Sequence, residues 1–126
     1  MKRGDVYLAG QDIAALRERS QNYPQGVQAA ENVILRPVVL VSRDAINRYS
    51  TVVLVCPLVD AASVHQPYPS DVLVRAPEGG LTADSVVLTG QLRALARAQL
   101  VRQLGELSAE VMRAVDRALR ITLDLE

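Results

Sequence analysis

The chain's 126 residues are the size of one ordinary domain, and an apolar content of 49% is enough to build a hydrophobic core. Fourteen Lys and Arg are matched by fourteen Asp and Glu, so the net charge is zero and the bulk basic signature of a general nucleic-acid coat protein is missing. With no Phe, no Trp and only four Tyr, few aromatic platforms remain for stacking single-stranded bases, so any contact with RNA has to be local.

No apolar run approaches the roughly 20 residues needed to cross a bilayer, and MKRGDVYLAG lacks the apolar stretch of a secretory leader. A cytoplasmic protein without membrane contact is expected. One cysteine, Cys56 inside TVVLVCPLV, excludes an intrachain disulfide and a cysteine-rich zinc site, and reads as a buried core thiol.

In chain order, GDVYLA alternates apolar and polar positions and reads as a first strand. Residues 10–31 break that pattern: QDIAALRERS has helical character and NYPQG is a turn cluster, so an extended loop is expected. Arg17 and Arg19 in it, separated by Glu18, are candidates for a local basic surface. Strand character returns at Val33, and VVLVS at 38–42 and TVVLVCPLV at 51–59 read as central strands buried on both faces. Between them RDAINRYS suits a short helical turn capped by Asp44. A loop AASVHQPYPS, a strand DVLVRA, a Gly- and Pro-rich turn PEGGLTAD and one further strand or strand pair in DSVVLTGQLRAL follow.

The period then changes. Ser108 is placed to cap a helix over about 108–123, with Met112, Val115, Leu119 and Leu123 on its apolar face and an Asp116–Arg120 pair on the other. The expected architecture is one domain over 1–126, mainly β with a C-terminal helix, as a small twisted sheet or barrel.

Several chemistries fall away. A paired-histidine ribonuclease is impossible with His65 alone, and no HExxH, GxSxG or P-loop string is present. Asp44, Asp60, Asp71 and Asp84 show no spacing that calls for a metal, so neither metal nor cofactor is expected. What remains is Arg36. Pro37 fixes the backbone after it, so Arg36 stands at a rigid strand entry and can offer its guanidinium fork to a phosphate with little freedom to lose. The bland alternative is a salt bridge to an acid such as Glu31.

The ordered set KRGDVYLA, LRPVVLVSRDAINR, VVLVCPLV, YPSDV, DSVVLTGQLRAL and LGELSAEVMRAVDRAL resembles the MazF/PemK toxins over nearly the whole chain. The resemblance implies an SH3-like barrel with a C-terminal helix, a homodimer, and a cognate antitoxin whose tail covers the active site. It also implies metal-independent cleavage of single-stranded RNA such as mRNA to 2′,3′-cyclic phosphate and 5′-OH ends. Carried onto this chain, the catalytic arginine falls on Arg36 and its acidic companion on Glu31. Asn32, Ser42, Asn47, Thr51, Gln91 and Arg93 are the RNA-contacting candidates.

The chain departs from the pattern at three places. The position of the family's second catalytic residue, a hydroxyl, is Val59; the acid before the QxR segment is Gly90; and the 10–31 stretch replaces a short loop. An active ribonuclease helped by Ser42, Thr51 or Ser63 is the first reading. A family-fold protein that only binds is the second. A CcdB-like gyrase poison is a distant third, because the ending ITLDLE lacks the Trp of that type.

Overall fold

Strand β1 (Asp5–Asp12) runs antiparallel to β2 (Val33–Leu40) in the computed structural model, which describes residues 1–12 and 33–126. After β2 come a short helix α1 (Asp44–Tyr49), the long strand β3 (Val52–Asp60), and strands β4 (Asp71–Val74) and β5 (Ser85–Leu88). Strands β6 (Arg93–Ala96) and β7 (Leu100–Glu106) and a terminal helix α2 (Ala109–Leu123) complete the order. The strands form one sheet in the order β4-β5-β3-β2-β1-β7, with β6 also paired to β3. The fold is thus mainly antiparallel β with a C-terminal helix, as expected. It is barrel-like but open, since β4 and β7 end the hydrogen-bonded order among the described residues.

The two continuous apolar runs have a direct cause. Val39 and Val41 enter one core with Val6, Cys56, Val87 and the helix residues Met112 and Val115. Val38 and Leu40 face the other way, into a second core with Ala9, Val53, Val55 and Leu95. A strand buried on both faces has no polar side to alternate with. Helix α2 covers the first core with Met112, Val115 and Ala118, and the Ser108 hydroxyl caps it by accepting from the Val111 N–H at 3.2 Å.

The opening KRGD ties the N-terminus to three elements. The Arg3 guanidinium donates to the Val41 carbonyl at 2.9 Å and to Asp116 of α2 at 2.5 Å, while the Asp5 carboxylate accepts from the Lys2 N–H at 2.9 Å. Asp116 therefore pairs with Arg3 rather than with Arg120. Asp44 is likewise not a cap. Arg43 holds the N-cap position of α1, and Asp44 accepts from the Arg3 N–H at 2.6 Å. Strand β7 was not anticipated: Val101, Arg102 and Gln103 are all exposed on this edge strand, so LVRQLGE shows no clean period.

Burial pushes the Cys56 thiol up to about 12, from 9.0 for a free thiol. Between those values the native thiol keeps a proton that the unfolded chain has lost. Stability should therefore fall as pH rises through that window, by up to about 1.4 kcal/mol per pH unit from this group. Urea denaturation at stepped alkaline pH should show a shallower fall in Cys56→Ala than in the wild type, and parallel curves would contradict the assignment.

Candidate active site

The site forms where two neighbouring strands part. Strand β3 pairs with β2 only over Pro57, Cys56 and Val55, opposite Val38, Val39 and Leu40, and then turns its last residues, Leu58 to Asp60, to β5. Arg36 and Pro37 lie just before that pairing begins, so the donor that proline lacks costs no β2–β3 ladder bond. On its other edge β2 stays in register with β1, Arg36 opposite Ala9 and Pro37 opposite Leu8. Arg36 is thus held on a paired strand at the mouth of a gap, with its side chain exposed.

Two concavities meet there, both lined by Arg36, Leu58 and Val59. The larger, about 590 Å³, adds Asp60, Ser63, Thr82 and Arg102; the smaller, about 240 Å³, adds Gln91, Arg93 and Leu95. Together they carry three arginines against one carboxylate, a local charge of +2 in a chain with no net charge. None of the three arginines is ion-paired to a described residue. This supplies the local basic surface that bulk composition denied.

The QxR segment is fixed by the turn preceding β6. Thr89 is buried, its hydroxyl donates to the Ser70 carbonyl at 2.6 Å and lies 2.8 Å from the Thr122 hydroxyl of α2. That anchors a one-turn helix, Thr89–Gln91, so that Gln91 at its end and Arg93 at the start of β6 reach the smaller concavity. Arg93 donates to the Gln91 side-chain oxygen at 3.2 Å, so the two present one polar unit beside Arg36.

The other expected residues divide. Glu31 and Asn32, like Arg17 and Arg19, lie outside the described residues. Ser42 and Asn47 are a correction. Both are buried, Asn47 wholly so; the Ser42 hydroxyl donates to the Asn47 side-chain oxygen, and the Asn47 amide donates to the Ser42 carbonyl at 2.8 Å. Since the Ser42 hydroxyl also accepts from the Leu54 N–H at 3.2 Å, the pair locks the β2–α1 corner to β3 and offers nothing to RNA. Asn47→Ala should therefore cost about 2–3 kcal/mol of stability in urea titration while leaving RNA affinity per folded molecule unchanged.

Thr51 is exposed, but it stands just before β3, at the end of that strand away from Val59, and lines neither concavity. Val59 does stand beside Arg36, where it offers a methyl surface in place of a hydroxyl. Gly90 is exposed and a side chain there would meet open space. Arg102 was missed altogether, because it sits on the strand that sequence reasoning did not find. Its only sequence signal was alternation across Leu100, Arg102 and Leu104.

The chain matches the family described as PemK-like, MazF-like toxin of type II toxin–antitoxin systems over residues 2–123. It is 35% identical over 125 residues to the endoribonuclease MazF of Staphylococcus epidermidis, covering 99% of this chain and 92% of that protein. Among solved structures it resembles the Mycobacterium tuberculosis toxin MazF-mt6, with a TM-score of 0.72, 24% identity, and 97% of this chain and 98% of that one covered. A mycobacterial endoribonuclease in complex with its cognate antitoxin is similar, with a TM-score of 0.71, 22% identity, and 100% and 97% covered. These two structural likenesses speak to the fold, and they agree with the sheet and terminal helix described above. With the family model matched over residues 2–123 and a relative 35% identical over 99% of the chain, the chain belongs to the PemK/MazF-like toxin family of type II toxin–antitoxin systems.

Proposed function

We propose that this endoribonuclease toxin cuts single-stranded RNA in the groove at Arg36, without a metal, leaving a 2′,3′-cyclic phosphate and a 5′-OH. The ribose 2′-oxygen attacks the adjacent phosphorus, the bond from phosphorus to the 5′-oxygen breaks, the 2′-OH proton passes to a base and the leaving oxygen gains a proton. Negative charge builds on the phosphoryl oxygens as this happens. The observation that carries the reading is an exposed Arg36 on a paired strand inside a groove of charge +2. A cation fixed before the reaction stabilises such charge without reorganising.

Arginine stays protonated and serves as the charge stabiliser rather than the base. Glu31, five residues before it, is the proposed partner that orients Arg36 or takes the 2′-OH proton. Gln91 and Arg93 contact the RNA in the smaller concavity, and Asn32 is included as a further contact. The protein works as a cytoplasmic homodimer, and its cognate antitoxin inhibits it by lying over the same groove.

Val59 supports one competing reading, a protein that binds RNA without cutting it. A long unstructured RNA incubated with the protein in EDTA separates the two. The expected products accept a 5′-phosphate from polynucleotide kinase directly and resist 3′-ligation until the cyclic end is opened. Intact RNA that is nonetheless retained by the protein would establish the binder.

A further inference from the structure

The turn that carries Gln91 is held from one side. Gly90 has nothing within 4 Å of where a Cβ would stand, and Gln91 is exposed. The side-chain hold on Thr89–Gln91 therefore comes from Thr89, followed by Leu92, which packs half-buried against the main core. Thr89 is wholly buried. Its hydroxyl has one proton, and that proton goes to the Ser70 carbonyl at 2.6 Å. The 2.8 Å contact with the Thr122 hydroxyl then runs the other way, with Thr122 donating and Thr89 accepting.

Both partners of Thr89 are themselves fixed. Ser70 lies in a turn closed twice, the Asp71 N–H donating to the Tyr68 carbonyl and the Tyr68 N–H to the Asp71 carboxylate, each at 2.9 Å. Thr122 stands near the end of α2, whose Met112, Val115 and Ala118 are in the core. Of residues 120–126 it alone is not exposed, so it is the side chain that the end of the helix turns to the body of the protein. A hydroxyl there supplies what an apolar side chain would not, a directional bond, and its acceptor carries Gln91.

We propose that Thr122 is a positioning residue of the RNA site: by donating to the Thr89 hydroxyl it sets the angle at which the Thr89–Gln91 turn presents Gln91 and Arg93 to the smaller concavity. Thr122 lines neither concavity and touches no RNA. Its effect passes through Thr89 to Gln91, whose side-chain oxygen accepts from the Arg93 guanidinium at 3.2 Å. The helix that covers the core thus also aims the polar unit beside Arg36. The proposal rests on the reading of Gln91 and Arg93 as RNA contacts.

Thr122→Val removes the hydroxyl at nearly constant shape, and Thr122→Ser keeps it. In the RNA-free protein the NMR signal of the Arg93 Nε–H should move in Thr122→Val and return towards its wild-type position in Thr122→Ser, with Arg36 and Arg113 in place in both. An Arg93 signal unmoved by Thr122→Val would overturn the positioning. Affinity for a 2′-O-methylated single-stranded RNA, which has no 2′-OH to attack, should fall in Thr122→Val by about threefold to tenfold, the worth of one ordinary hydrogen bond. Thr122→Ser should restore it, with all proteins measured well below their melting temperatures. Placed in a Gln91→Ala/Arg93→Ala background, Thr122→Val should cost nothing further, because the unit it acts through is gone. The same loss in both backgrounds would overturn the proposal by making Thr122 a general packing residue. The Gln91→Ala/Arg93→Ala protein separates the two claims. If it binds RNA as tightly as the wild type, the reading of the smaller concavity fails; if it binds weakly while Thr122→Val binds normally, the positioning alone fails.

Discussion

Arg36→Ala should lower the rate of RNA cleavage by a hundredfold or more, with the fold and thermal stability intact. The magnitude follows from removing one fixed charge stabiliser from a site that uses it as negative charge develops on phosphorus. Stability should hold because the Arg36 side chain is exposed and makes no ion pair with a described residue. The loss should fall on kcat more than on KM, since the interaction is worth most in the transition state. Arg36→Lys keeps the charge but gives up the planar two-pronged fork, and should recover only part of the rate. Single-turnover kinetics on a short RNA distinguish these outcomes, and an Arg36→Ala protein that cuts at the wild-type rate would remove the residue from the mechanism.

The largest stability effect should come from Gly80→Ala. This position combines a φ of +73° with an approach in which the new Cβ would stand 2.0 Å from the Leu104 carbonyl oxygen and 2.6 Å from its carbon. Those are backbone atoms of a strand and cannot swing aside. The expected cost is about 2–4 kcal/mol from strained backbone and overpacking together, or a fall in Tm on the order of 10 °C. Gly90→Ala is the contrast, because nothing lies within 4 Å of a Cβ at that position. A calorimetric scan in which the two variants melt alike would contradict the close approach of turn and strand. Because the same turn forms one wall of the larger concavity, Gly80→Ala should also weaken RNA binding in whatever fraction remains folded.

How much of this was legible beforehand differs by element. The terminal helix was readable because Ser108 caps it and its apolar residues recur at helical spacing. The central strands β2 and β3 were readable because both their faces are buried and their sequences are apolar without interruption. Strand β7 was not, since an edge strand whose Val101, Arg102 and Gln103 are all exposed carries no strong period.

The same limit applies at the site. Arg36 could be singled out by its proline neighbour, and Gln91 and Arg93 by their family string. Ser42 and Asn47 were misread because polar residues near a loop look like ligand contacts until their burial is seen. What decides their role is a three-residue hydrogen-bond network that joins α1 to β3. Arg102 joins the site only through pairing of β7 with β1, a long-range register that no local pattern encodes. The neutral overall charge concealed the groove for a similar reason. Charge balance over the chain says nothing about three arginines that the fold gathers from β2, β6 and β7.

The central claim is that RNA lies in the groove where β2 and β3 part. Its most direct measurement is an NMR titration of the arginine Nε–H signals with 2′-O-methylated single-stranded RNA, assigned through single Arg→Lys variants. Arg36, Arg93 and Arg102 should shift together and saturate at one concentration, while Arg113 and Arg117 on α2 stay in place. Shifts confined to the helix arginines, with Arg36 unmoved at saturation, would contradict it.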